Sequence, residues 1–271
     1  MRTIFHIDIT TASTVLRVIA AVLTGAALLC WARAGSRLVA ACLGTVLAIL
    51  VLEINSGWMR HLDASAELWV RPHRTPSAVA GWSEIWGYLG DPLYFAATVA
   101  VFGGWASWRA RSATPVAVMV VAVATGVVLE QALKTAVGRT AAAAAELQVR
   151  PSPGRLLDFL HSFPSGHVTV IGTFLGTVAV CLCAGRRVAA KVQVAAVAAA
   201  TVVVIGVLAV YVRAHTLTDV IGGMVLSGAI VAVAATALSR SVSGPRRVPA
   251  RDVAGVHRAV AAVQRERVAV G

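Results

Sequence analysis

The sequence predicts an all-α bundle of helices that cross a membrane. Three observations carry that expectation. Hydrophobic residues fill 58% of the 271 positions and charged residues only 13%, with a mean hydropathy of +0.79, a balance foreign to soluble domains. The apolar residues fall into runs close to the about 20 residues that one bilayer crossing needs. Arginines gather in the short gaps between those runs and in the tail, where membrane proteins keep their cytoplasmic positive charge.

Taken in order, residues 1–12 form a short leader and 13–32 a first apolar run. Ala32-Arg33-Ala34 resembles a signal-cleavage site, but a signal peptide has an apolar core of only about 7–15 residues, so an uncleaved span is expected. Arg33 and Arg37 flank the connection to a second span at 38–54. Residues 55–90 are polar and aromatic, with Trp58, Trp69, Trp82 and Trp86 among His61, Asp63, Glu67, Arg71, His73 and Arg74. Tryptophan favours the membrane–water interface, so short surface helices are expected there. Further spans are expected at 91–108, 114–133, 167–184, 190–212 and 217–238. After Asp252, valines recur at helical spacing with arginines between them, as an amphipathic helix on the inner leaflet or a disordered basic tail would show.

With seven spans, the loops at 33–37, 109–111 and 185–191 and the tail at 240–271 share one side. All are positive, so that side is expected to be cytoplasmic. The net charge of +12 is accounted for in this way, and no basic stripe interleaved with aromatics points to nucleic acid. Cys30, Cys42, Cys181 and Cys183 lie inside apolar runs without metal or redox spacing and read as small buried hydrophobes.

The residues that carry chemistry sit at the ends of the runs, all on the other face. Phe163-Pro164-Ser165-Gly166-His167 precedes the run that begins at Val168. The first N–H groups of a helix lack partners within it, and the helix dipole adds positive potential, so such a start suits an anion. Gly166 lets backbone approach a ligand closely, Ser165 offers a hydroxyl and His167 exchanges protons near neutral pH. Lys134 ends one span, with Glu130 a helical turn before it and Arg139 five residues after. These two cations either serve a site or snorkel to the interface. His215 and Asp219 stand four apart, a spacing at which a carboxylate either orients an imidazole or caps the following helix. Two histidines, a carboxylate, fixed cations and a Ser-Gly helix start together suit a phosphate dianion: one histidine attacks phosphorus and the other protonates the leaving oxygen. No metal-ligand set stands beside the histidines.

This order of motifs resembles the type 2 phosphatidic acid phosphatase (PAP2) superfamily, on its membrane lipid phosphatase branch. The family motifs are Lys-x6-Arg-Pro, Pro-Ser-Gly-His and Ser-Arg-x5-His-x3-Asp. Pro164-Ser165-Gly166-His167 matches in full, His215 and Asp219 match the end of the third motif and Lys134 the start of the first. The first-motif arginine and proline fall at Ala141 and Ala142, with Arg139 and Arg150-Pro151 as the nearest substitutes. Leu208-Ala209 replaces the third motif's Ser-Arg. Arg213, four residues beyond Ala209, would project from the same helix face if the helix ran on.

The resemblance implies a six-helix core over 38–238, with residues 1–37 an extra N-terminal transmembrane helix and 239–271 a cytoplasmic tail. It implies an integral membrane enzyme that removes phosphate from a lipid at the extracytoplasmic face of the plasma membrane, without metal or cofactor. His215 would be the nucleophile, Asp219 its orienting partner and His167 the general acid. Lys134, Arg139, Ser165, Gly166 and Arg213 would hold the phosphate oxygens. A phosphotransferase sharing these residues, or a catalytically silent lipid- or partner-binding member, are the alternatives.

Overall fold

The computed structural model describes residues 36–139, 162–183 and 186–243, together with positions 19 and 22. Among the described residues there are eight α-helices and no strand, as the all-α expectation requires. They are α1 (Ser36–Glu53), α2 (Gly57–Val70), α3 (Pro76–Leu89), α4 (Pro92–Ala110), α5 (Thr114–Val137), α6 (Gly166–Cys183), α7 (Val188–Tyr211) and α8 (Leu217–Ser243), with a 3₁₀ turn at Arg71–His73. By its contacts the chain divides into residues 1–238 and 239–271, and the first unit holds α1 to α7 and most of α8. The expected first span at 13–32 lies outside the described residues apart from positions 19 and 22, and so do loop residues 140–161 and the tail from 244.

Four helices are long and apolar enough to cross a membrane: Thr114–Val137, Gly166–Cys183, Val188–Tyr211 and Leu217–Ser239. The second expected span forms as α1, but it turns by 92° into the helix that starts at Gly57, and only that bent pair passes the same test. The span expected at 91–108 forms as α4 and packs along α5 and α6. It is not among the four, because Tyr94, Trp105, Trp108 and the Gly103-Gly104 pair dilute its apolar content. The described residues therefore hold four such spans, or five with the bent pair, where the sequence suggests six in this region. The outward faces of α5 and α7 are valine, including Val120, Val121, Val127 and Val128 on one and Val197, Val203, Val204 and Val207 on the other. Helices apolar on their outer as well as their inner faces belong in a membrane. The protein is a multi-pass membrane protein.

The polar segment at 55–90 becomes two short helices, α2 and α3, and the starts of α3 and of α4 after it are written locally. Thr75 caps α3 by accepting from Ala78 N at 3.3 Å, and Pro76 occupies the first turn. Asp91 caps α4 by accepting from Leu93 N and Tyr94 N at 2.8 and 3.2 Å, ahead of Pro92. A long-range tie then fixes the segment. Arg74 donates from Nε to Tyr211 O at 2.8 Å and from Nη2 to Val210 O at 2.7 Å, and both its Nη atoms pair with Glu67. Those carbonyls lie in the last turn of α7, where the helix offers them no further i+4 donor, and a guanidinium there complements the dipole.

The core closes around the loop at 162–168. Phe163 is buried with Val46, Leu50, Ile54 and Met59 from α1, α2 and the turn between them. Val168 is buried with Val70, Ala209, Val210 and Val220 from α2, α7 and α8. Gly222 lies against the Phe163 ring so closely that a Cβ there would overlap it. The loop is thus held from both sides before any ligand is considered.

Candidate active site

The second and third motifs are joined through the main chain. Ser165 N donates to Asp219 O at 3.0 Å, and Thr169 returns its N–H and Oγ1 to Ser165 O at 3.0 and 2.8 Å. Helix α6 starts at Gly166, with Ser165 at its head. The Ser165 Oγ is fully buried and has no hydrogen-bond partner among the described residues. A buried hydroxyl in that state costs free energy unless something accepts from it or donates to it.

Asp219 is fully buried at the head of α8, where it fulfils the capping role its spacing allowed. Its Oδ2 accepts from Thr216 N at 3.0 Å, the reach-back of a helix-capping pair. The same oxygen lies 3.8 Å from His215 Nδ1, too long for a hydrogen bond. Its Oδ1 accepts from Arg139 Nη1 at 2.9 Å and faces Ser162 Oγ at 3.4 Å.

The Arg139 guanidinium is engaged by side chains on α2 and α8. Nη1 also donates to Thr218 Oγ1 at 2.6 Å, and Nη2 donates to Asp63 Oδ2 at 2.6 Å. Asp63, on α2, further accepts from Thr218 N and Thr218 Oγ1, each at 2.8 Å. The guanidinium fork is shared between two carboxylates. Ser162 N donating to Arg139 O at 2.8 Å ties its backbone to the loop before α6.

Trp86 on α3 joins the two histidines. Its indole stacks on His167 with ring centroids 4.1 Å apart and planes 26° apart. It meets His215 edge-on at 6.4 Å and 66°. Gly90, just past α3, lies so close to His167 Nε2 that a Cβ there would overlap the ring.

Lys134 pairs with Glu130 at 2.6 Å, and both side chains are buried. The one-turn spacing in the sequence is thus used. The Glu130 carboxylate also explains Gly166: a Cβ at that position would sit 2.8 Å from Glu130 Oε1. Arg213 departs from its expectation. Helix α7 ends at Tyr211, and Arg213 follows in the left-handed region at φ 60°. The one-turn relation to Ala209 therefore does not operate. Ala209 itself is fully buried in the apolar cluster around Val168. Arg213 Nε lies 4.0 Å from Glu67 Oε1, with the side chain 43% exposed. Among the described residues no three His, Cys, Asp or Glu side chains are grouped as a metal site.

Residues 115–243 match the family model of the PAP2 superfamily. Over that stretch the chain resembles the PAP2 superfamily. The fold agrees: it is similar to the crystal structure of a transmembrane PAP2 type phosphatidylglycerolphosphate phosphatase from Bacillus subtilis, with a TM-score of 0.61 and 21% identity over 76% of this chain and 98% of that one. No curated protein sequence matches the chain. The PAP2 stretch runs from α5 through α8 and holds Lys134, Arg139, Ser165, His167, Arg213, His215 and Asp219. Asp63 and Trp86 lie upstream of it, on α2 and α3, and sequence reasoning gives neither a role. The only signal is the concentration of tryptophan and charge in 55–90.

Proposed function

We propose that the protein is an integral membrane phosphatase that hydrolyses a lipid phosphate or diphosphate through a phosphohistidine on His215. The observation that carries the reading is the placement of His167 and His215 against one indole, with Asp219 beside His215 and the unpartnered Ser165 hydroxyl at the head of α6.

In the first step a lone pair of His215 forms a bond to phosphorus as the bond to the ester oxygen breaks, and His167 delivers a proton to the departing alkoxide. Asp219 orients the ring and balances its positive charge. In the second step water attacks the phosphohistidine, His167 takes the water proton and inorganic phosphate leaves. Lys134, Ser165, the Gly166 N–H and Arg213 are assigned to the phosphate oxygens. The step needs no metal ion in this scheme.

A site bounded by membrane-length apolar helices suits an ester with lipid chains, and polyprenyl phosphates or diphosphates, phosphatidate and phosphatidylglycerophosphate are the classes to assay. The Bacillus subtilis relative puts phosphatidylglycerophosphate first among them. The distribution of arginines favours the plasma membrane with the site facing outward and the tail from 239 inside. The test is phosphate release from these lipids by detergent-solubilised protein, with His215→Ala as control. Release that survives His215→Ala, or none from any of the lipids, contradicts the reading. The second outcome favours a silent lipid-binding member, which the alanines at 141 and 209 would suit.

A further inference from the structure

We infer that Asp63, on α2, is a positioning residue for the His215–Asp219 pair, acting through Arg139, and that Arg139 serves this clamp rather than the phosphate. The inference rests on the phosphatase reading and extends it to a residue outside the PAP2 stretch.

The geometry is a closed set of contacts. Asp63 uses both oxygens on the turn that starts α8: Oδ1 takes Thr218 N at 2.8 Å, and Oδ2 takes Thr218 Oγ1 at 2.8 Å and Arg139 Nη2 at 2.6 Å. Arg139 then holds Asp219 Oδ1 through Nη1 at 2.9 Å. That leaves Asp219 Oδ2 as the oxygen facing His215. The residues come from three places far apart in sequence: α2, the end of α5 and the head of α8.

Charge explains why two carboxylates are needed. Asp219 is fully buried, and the side chains of Asp63 and Arg139 are only 12% and 13% exposed. A buried carboxylate needs a paired cation, and Arg139 provides one for Asp219. Without Asp63, that pair alone would be neutral and His215 would face no net negative charge. With Asp63 the trio carries one net negative charge, which favours the cation that His215 becomes when phosphorylated. The fork geometry matters equally, because one guanidinium can address two carboxylates in fixed directions and an ammonium cannot.

A clamp and a phosphate ligand differ in what they change. Loss of a clamp displaces the nucleophile and lowers kcat. Loss of a phosphate ligand also weakens binding of phosphate itself. Asp63→Asn is therefore expected to lower kcat about 10- to 100-fold, the range for a misplaced reacting group, with KM and the inhibition constant of inorganic phosphate held within about twofold. Arg139→Lys should follow the same pattern, and the double variant should lose little more than either single one. Thr218→Val, a smaller change in the same contacts, serves if Asp63→Asn does not fold.

A readout that needs no turnover runs alongside. In ¹⁵N-histidine spectra of the detergent-solubilised protein, with His215 assigned by its loss in His215→Ala, Asp63→Asn should change the Nδ1 signal of His215. An active wild type with an unimpaired Asp63→Asn variant overturns this inference and leaves the phosphatase reading standing. So does a weakened phosphate inhibition in Arg139→Lys that matches its loss of rate. An inactive wild type overturns the phosphatase reading, and the His215 spectrum then decides the clamp: an unchanged Nδ1 signal contradicts it.

Discussion

The indole of Trp86 lies flat on the imidazole of His167, with centroids 4.1 Å apart, and the same indole meets His215 edge-on. An aromatic face of this kind fixes ring orientation and excludes water from one side of it. Trp86→Ala should therefore slow phosphate release from alkyl phosphates, where His167 must protonate a poor leaving group. It should cost much less with p-nitrophenyl phosphate, whose leaving group needs no proton. General acid catalysis contributes about 10²–10⁴-fold, and Trp86→Ala should lose a part of that range while Trp86→Phe retains most activity. Equal losses on both substrates would show that Trp86 serves binding or folding instead.

The buried pair of Glu130 and Lys134 gives a prediction about stability. Removing one partner leaves a buried charge uncompensated, which costs about 3–5 kcal/mol. Both Glu130→Gln and Lys134→Met should lower the melting temperature in detergent strongly. The double variant should be more stable than either single one, because no lone charge remains. Additive losses in the double variant would contradict the pairing.

Arg213 is held in the left-handed region, at a cost of about 1–2 kcal/mol for a residue with a side chain. If its guanidinium binds phosphate, Arg213→Ala, Arg213→Gly and Arg213→Lys all lose most activity. Arg213→Gly should be at least as stable as Arg213→Ala, since glycine adopts this conformation freely. Near-full activity in Arg213→Ala would remove Arg213 from the phosphate site.

The proposed orientation is checked by thiol labelling. Ser77, exposed on α3, and Ser112, exposed in the turn between α4 and α5, lie on opposite faces of the proposed topology. In a background lacking the native cysteines, Ser77→Cys should react with an impermeant reagent on intact cells and Ser112→Cys only after lysis. The reverse pattern would invert the orientation.

Local spacing makes part of this site legible in the sequence. Glu130 and Lys134 are four residues apart on one helix, which brings them together without help from the rest of the chain, and His215 and Asp219, four apart, share the turn that starts α8. The Pro164–His167 motif, at the head of an apolar run, locates the start of α6. Asp63 and Trp86 are not legible, because their partners lie far away in sequence: Asp63 meets Arg139 76 positions on and Thr218 155 positions on. The same-face expectation for Arg213 fails because it requires a helix that in fact stops at Tyr211. Gly166 suggests room for a ligand, yet the group nearest its missing Cβ is the Glu130 carboxylate. The span at 91–108 forms as a helix, but its aromatic and glycine content keeps it below the apolarity of its neighbours.

The most direct measurement of the central claim is a phosphoenzyme trap. Protein mixed with a ³²P-labelled lipid phosphate and quenched rapidly in alkali should carry label, because phosphohistidine survives base and is lost in mild acid. The label should map to the peptide that contains His215 and vanish in His215→Ala. In His167→Ala it should form more slowly from an alkyl phosphate. Label that resists acid, or that persists in His215→Ala, would contradict the account.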